Sequence, residues 1–166
     1  MQAANEPHSH ARVIPGSVIE SITVDAPIDT VWAALSRSDI RSVWSKLPGR
    51  DATYELDFRS GGSEVRTSTF PNIDRDERLA FRARFVEIAA PHRVVTAEEL
   101  ELDGELRMAF LVSWDLVELG DATRVDYTEQ YLVLVPTGDG TANQRERRGG
   151  VPMMLRRFKI TVEELD

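Results

Sequence analysis

Glu129 stands in the stretch "VDYTEQYLV", where Val125, Tyr127, Glu129, Tyr131 and Val133 share one parity of an alternating run. Alternate side chains of a strand face the same side, so this carboxylate is expected among apolar groups on the inward face. Burial without a partner disfavours the ionised form and raises the pKa, whereas an adjacent arginine holds the charge. Two readings follow. In one, Glu129 is structural, paired with Arg84, Arg107 or another cross-strand arginine, or turned outward by a bulge. In the other it anchors the polar end of a ligand or works as a general acid or base, with Tyr127 and Tyr131 as hydrogen-bond donors. Glu98 poses the same question, because Val94, Thr96, Glu98, Leu100 and Leu102 share a parity. The surrounding "EELELDGE" is so acidic that a solvated strand edge is the expectation there.

No other residues assemble a catalytic motif. The chain has no cysteine, which removes disulfides, thiolate metal ligands and cysteine nucleophiles. His8 and His10 lie two apart without a third ligand, and His92 follows Pro91 in a turn, so no metal is expected. The glycines of "SGGS" and "GDG" lack the strand-loop-helix context of a phosphate loop, and no cofactor is expected. Acidic side chains outnumber basic ones 28 to 20, and the net charge of -8 repels phosphate backbones. The one basic cluster, Arg145, Arg147 and Arg148, is interrupted by Glu146 and has no interleaved aromatics; it reads as a solvated loop or helix start, not a nucleic-acid site. No apolar run approaches the roughly 20 residues of a membrane span. The opening "MQAANEPHSHARVIPGS" has no apolar segment of a secretory signal, so a cytoplasmic home is expected.

The elements that must position Glu129 are legible from periodicity. A polar tail is expected over residues 1–16 and a single domain over 17–166. From Ser17 the pattern is strand-like, with Val18, Ile22 and Val24 on one parity. Asp25 and Pro27 then start a helix whose stripe is Ile28, Val31, Trp32 and Leu35, and residues 36–46 form a second short helix carrying Ile40, Val43 and Trp44. Alternating runs follow, separated by "SGGS", "PNIDRDE" and "APH", as in an antiparallel meander. The clearest strand carries Leu106, Met108, Phe110, Val112, Trp114 and Leu116 on one face. Last, Val151, Met154, Leu155, Phe158, Val162 and Leu165 trace a helical stripe, with the helix beginning or bending near Gly150 and Pro152. The order predicts an α+β fold in which a curved antiparallel sheet of about six or seven strands is covered by the terminal helix.

The stretches "ITVDAPIDTVWAALSRSDIRSVW", "FRSGGS", "ERLAFRARFVEIAAPHRVVTAEEL" and "YTEQYLVL…DG…RERRGG…LRRF" occur in that order over residues 17–165. In them the chain resembles the START-like superfamily, also called SRPBCC, helix-grip or Bet v 1-like, and within it the branch related to the C-terminal domain of the Hsp90 ATPase activator. The resemblance implies a helix-grip fold, with two short helices after the first strand and the sheet wrapped around a long C-terminal helix. It also implies a cavity between sheet and helix, used across the superfamily for apolar small molecules. Inward parity and the helix stripe name its candidate lining: Trp44, Phe58, Phe81, Phe85, Met108, Phe110, Trp114, Tyr127, Glu129, Tyr131, Met154, Leu155 and Phe158. Large apolar groups at such spacings also make the core of any fold.

The expected function is therefore binding of an apolar or amphipathic small molecule. The resemblance keeps two alternatives open: a polyketide cyclase or aromatase-like enzyme using Glu129 as acid or base, and a protein-interaction module of the Hsp90-activator kind with a chaperone partner. A homodimer is also left open, as is a lid formed by residues 136–150. Of the first two tryptophans, Trp32 is expected to plug the core and Trp44 to stand at the cavity rim.

Overall fold

The computed structural model describes residues 12–165. His8, His10 and most of the expected tail lie outside the described residues. Strand β1 (Ile14–Val24) begins three residues before Ser17, with Pro15 and Gly16 already paired to Leu132 and Tyr131. Pro15 is tolerated because β1 is an edge strand, where a missing backbone donor can face solvent.

Helices α1 (Ile28–Ser36) and α2 (Ser38–Trp44) follow, then β2 (Arg50–Leu56), β3 (Ser63–Pro71), β4 (Asp76–Ala89), β5 (Arg93–Leu102), β6 (Glu105–Leu119) and β7 (Ala122–Val133), and finally α3 (Thr141–Glu163). The strands make one antiparallel sheet in the order β1-β7-β6-β5-β4-β3-β2. All neighbours are joined by hairpins except β1 and β7, which pair the start of the chain with its last strand. Among the described residues, no helix is long and apolar enough to cross a membrane.

Asp25 does not cap α1. The helix starts after Pro27, whose carbonyl takes the Thr30 and Val31 amides, and the Asp25 amide donates instead to the Glu163 carboxylate at 2.8 Å. That bond ties the end of α3 to the junction of β1 and α1. The terminal helix does not begin near Gly150; its 23 residues take up the longer end of what the stripe allows. It runs unbroken from Thr141, so "RERRGG" is helical and Pro152 lies inside it. Glycine and proline weaken an isolated helix; here burial of Val151, Leu155, Phe158 and Val162 against the sheet outweighs that propensity.

The core lies between the concave sheet and α3. Phe85, Phe158, Leu35 and Leu155 are at most 1 % exposed, and each such side chain contributes about 1.5–3 kcal/mol by leaving water. Trp44 does not stand at the cavity rim as expected, while Trp32 packs against the core from its margin. Trp44 is the plug: its ring packs at 5.3 Å from Trp114 and edge-on at 5.1 Å from Phe158, and its Nε1 donates to the Ala34 carbonyl at 2.8 Å. Trp32 is half-buried and meets Phe58 edge-on at 5.8 Å. Because α2 has only seven residues, its rotation is set by this packing more than by its stripe. A bulge at Arg107 on β6, where the pairing steps from Leu100–Met108 to Glu101–Leu106, puts Leu106 out of phase with Met108, so Leu106 is exposed while the rest of its predicted row is buried.

Candidate functional site

The inward face of the sheet is not uniformly apolar. On β3 the inward parity is Glu64, Arg66 and Ser68, with Glu64 and Ser68 buried and Arg66 half-buried. On β5 the same layer holds Thr96 and Glu98, and on β7 Tyr127 and Glu129. These polar residues converge below the N-terminal half of α3. Of them, Arg66, Glu98, Tyr127 and Glu129 border a cavity of about 300 Å³ whose apolar lining includes Leu79, Phe81, Leu100, Phe110 and Met154. Lys46 and Arg157, both exposed, stand on its rim.

Glu129 is 1 % exposed and inward, as its parity predicts. Its partner is neither Arg84 nor Arg107 but Arg147 of α3, whose Nε lies 2.9 Å from Oε1 and whose Nη2 lies 2.5 Å from Oε2. Tyr127 adds a hydroxyl donated to Oε2 at 2.7 Å. Burial and the neighbouring Glu129 charge push the Tyr127 hydroxyl pKa far above its ordinary value, so this group donates and stays neutral. Burial works against the Arg147 charge, but the Glu129 contact prevails and raises its pKa. Arg147 also lies over the Phe110 ring at 5.1 Å. Arg145 and Arg148 are exposed, as expected of a solvated cluster; Arg147 alone turns inward.

A second buried ion pair escapes any reading of the sequence. Arg41 of α2 forks onto Glu64 of β3, with Nε 3.1 Å from Oε1 and Nη2 2.8 Å from Oε2. Its Nη1 donates to the Leu35 carbonyl at 3.0 Å. Burial of Glu64 opposes ionisation, but Arg41, with help from Arg66, holds its pKa down to about 2. Arg66 itself is served less well. Its Nε is 3.7 Å from Glu64, too far for a hydrogen bond, and is buried without a partner among the described residues. Its Nη1 donates to the Ser45 carbonyl at 2.6 Å, and its guanidinium lies 3.7 Å over Phe81. Burial lowers its pKa.

Glu98 is the second correction. It is half-buried and lines the cavity, and is not at a solvated edge. It accepts a hydrogen bond from the Thr96 hydroxyl at 2.5 Å and makes no arginine or lysine ion pair within 4.0 Å among the described residues. Burial raises its pKa, with the Glu64 and Glu129 charges acting in the same direction.

Of the sequence-derived candidates, Phe81, Phe110, Tyr127, Glu129 and Met154 border this cavity. Trp44, Phe85, Met108, Trp114, Leu155 and Phe158 are core, and Phe58 is half-buried against it. Tyr131 lies opposite Gly16 in the sheet and does not reach the cavity. Leu79, Leu100, Arg66 and Arg147 also line it, although the sequence does not mark them as lining residues. A larger depression of about 630 Å³ is lined by Gly16, Ala109, Leu111, Gln130 and Leu132 together with the candidates Phe110 and Tyr131. Its lining has no carboxylate or basic side chain, whereas the 300 Å³ cavity has both. Among the described residues there is no group of three or more histidines, cysteines and carboxylates able to hold a metal ion.

Comparison with known proteins supplies the context. A family model described as activator of Hsp90 ATPase homolog 1-like protein matches residues 25–163. No curated protein matches the chain. Among solved structures, a protein of Rhizobium leguminosarum shares 24% identity with a TM-score of 0.79, over 92% of this chain and 97% of its own. A protein of Rhizobium loti shares 24% with a TM-score of 0.71, over 89% and 99%. Norcoclaurine synthase from Thalictrum flavum, solved in complex with dopamine and hydroxybenzaldehyde, shares 14% with a TM-score of 0.62, over 93% and 90%. These likenesses show the helix-grip fold.

Proposed function

The chain belongs to the activator of Hsp90 ATPase homolog 1-like family, and from that premise we propose that it binds an amphipathic small molecule between the sheet and α3. The observation that carries this reading is the cavity itself: one wall of aliphatic and aromatic side chains facing a group of buried, hydrogen-bonding ones. Ligand pockets run from about 300 to 1,000 Å³, and apolar lining with a few placed polar groups is their usual composition. A volume of about 300 Å³ therefore favours a small ligand over a long-chain lipid. The norcoclaurine synthase complex, with two small aromatic molecules on the same fold, supports the reading by analogy.

Within this site Glu129 acts as a fixed polar end, since Arg147 and Tyr127 occupy both of its oxygens. If the bound molecule is also transformed, Glu98 is the better acid or base, because only Thr96 engages it and it borders the cavity. Native mass spectrometry of the purified chain, followed by extraction and identification of any co-purified compound, tests the binding reading. A stoichiometric compound that is lost in Leu100→Trp, which fills the cavity, is the expected result. Retention of the compound by that variant would place it elsewhere, and an empty wild-type protein that binds no aromatic probe would favour an interaction module.

A further inference from the structure

We propose that the ligand is an aromatic carboxylic acid of about two rings, whose carboxylate is held by Arg66. This rests on the binding reading above and names the chemical class that the cavity selects.

The inference comes from pairing the buried charges. Arg41 is taken by Glu64 and Arg147 by Glu129, each through a two-pronged contact. Arg66 has no hydrogen-bonded carboxylate among the described residues, although Glu98 lines the same cavity. Its Nη1 is spent on the Ser45 carbonyl, and its Nε–H is buried with nothing to donate to. A buried donor without a partner costs about 1–3 kcal/mol, and more when the group is charged. A guanidinium edge is matched in plane and spacing by a carboxylate, which can accept two parallel bonds. The Arg66 guanidinium thus lacks a hydrogen-bonded counter-charge, which a carboxylate entering the cavity supplies.

The apolar part follows from the walls. Phe81, whose ring centroid lies 3.7 Å from the Arg66 guanidinium, and Phe110 supply aromatic lining, while Leu79, Leu100 and Met154 supply aliphatic and thioether surface. A dry cavity of about 150 Å³ accepts one benzene ring, so 300 Å³ matches about two. The rim is also suited to an acid: Lys46 and Arg157 put positive charge at the opening of a protein whose net charge is -8.

Isothermal titration of the full chain with 2-naphthoate and with the neutral, similarly shaped 2-naphthamide tests this. The acid is expected to bind at least about tenfold tighter, the ratio set by a hydrogen-bonded charge. Arg66→Met should bring the acid to the affinity of the amide and leave the amide unchanged, whereas Arg157→Met should leave most of the preference intact. A melting curve checks that each variant is folded. Should Arg66→Met fail to fold, the Arg66 Nε–H resonance of the isotope-labelled wild type replaces it, and must move on adding naphthoate. Equal binding of acid and amide, a preference lost in Arg157→Met instead, or an unmoved Arg66 resonance overturns the carboxylate proposal while leaving the cavity reading in place. Binding of neither compound overturns both.

Discussion

Arg147 of α3 and Glu129 of β7 meet through two hydrogen bonds, 2.9 Å from Nε to Oε1 and 2.5 Å from Nη2 to Oε2. The pair joins the N-terminal half of the long helix to β7, the strand next to the β1 edge of the sheet, where both residues line the cavity. Only Glu129 is fully enclosed; the Arg147 side chain keeps 27% of its surface.

That asymmetry predicts which deletion is worse. Removing one partner of a buried ion pair costs about 3–5 kcal/mol, because the other charge is stranded. Arg147→Met strands Glu129 with only the Tyr127 hydroxyl and should lower stability by about 2–4 kcal/mol, the partial exposure of Arg147 tempering the loss. Adding Glu129→Gln removes the stranded charge, so the double variant should be more stable than Arg147→Met alone. Urea unfolding of the four proteins of the cycle measures this coupling, and strictly additive losses would refute it.

Glu64 predicts a second response, to acid. Burial disfavours its charge, but Arg41 and then Arg66 hold its pKa at about 2, below a reference of 4.5. Its contribution is fully present above about pH 4.5. Between that value and about 2 the unfolded chain takes up the proton first, so stability falls as pH falls. Glu64→Gln should be destabilised by about 3–5 kcal/mol at neutral pH, since Arg41 is left without its carboxylate, and should lose part of the wild-type slope on the acid side. Thermal melts from pH 2 to 7 check both. An acid limb parallel to that of the wild type would show that Glu64 does not carry the linkage.

The regular parts of the fold were legible because they are periodic. Alternation along β6 and β7 and the Val151 to Val162 stripe each bury one face, so residue types reveal the side that faces the core. The same rule pointed Glu129 inward. It was silent on β3, where the inward row is Glu64, Arg66 and Ser68 and the polar side of the pattern faces the interior. Arg41 and Glu64 lie 23 residues apart on a helix and a strand, and nothing local relates them. Arg147 was hidden for another reason: the Gly149, Gly150 and Pro152 that follow it argue for a break, and only tertiary packing carries the helix through them. The cavity's polar half was thus the part least accessible to pattern, because charged residues are read as surface until a partner is seen.

Glu98 should show the opposite pH dependence from Glu64. Its pKa is raised, chiefly by burial, so above the reference of 4.5 the native state holds a proton that the unfolded chain releases. Stability therefore falls as pH rises through that interval. Glu98→Gln keeps the shape of the neutral acid and cannot ionise. It should melt higher than the wild type at pH 8, with the difference disappearing towards pH 4. Its affinity for 2-naphthoate should also depend less on pH than that of the wild type, since the variant has no carboxyl to ionise beside the ligand. A variant that melts lower at pH 8 would mean that the ionised carboxylate stabilises the site.

Two glycines should respond to the same substitution with opposite signs. Gly16 on β1 lies opposite Tyr131 on β7, and a methyl group built on it would overlap the tyrosine ring and hydroxyl. Tyr131 is 3% exposed and has little room to swing away. Overpacking of this kind costs about 1–3 kcal/mol, so Gly16→Ala should be destabilising. Gly149 lies in α3 with open space where its methyl would stand. Alanine there removes the backbone entropy that glycine loses on entering a helix, and Gly149→Ala should stabilise by about 0.5–1 kcal/mol. Gly149 does not line the cavity, so binding of 2-naphthoate should be unchanged in that variant. Chemical denaturation of both variants decides the matter: a stabilised Gly16→Ala would mean that Tyr131 yields, and a destabilised Gly149→Ala that the first half of α3 needs glycine for a reason other than space.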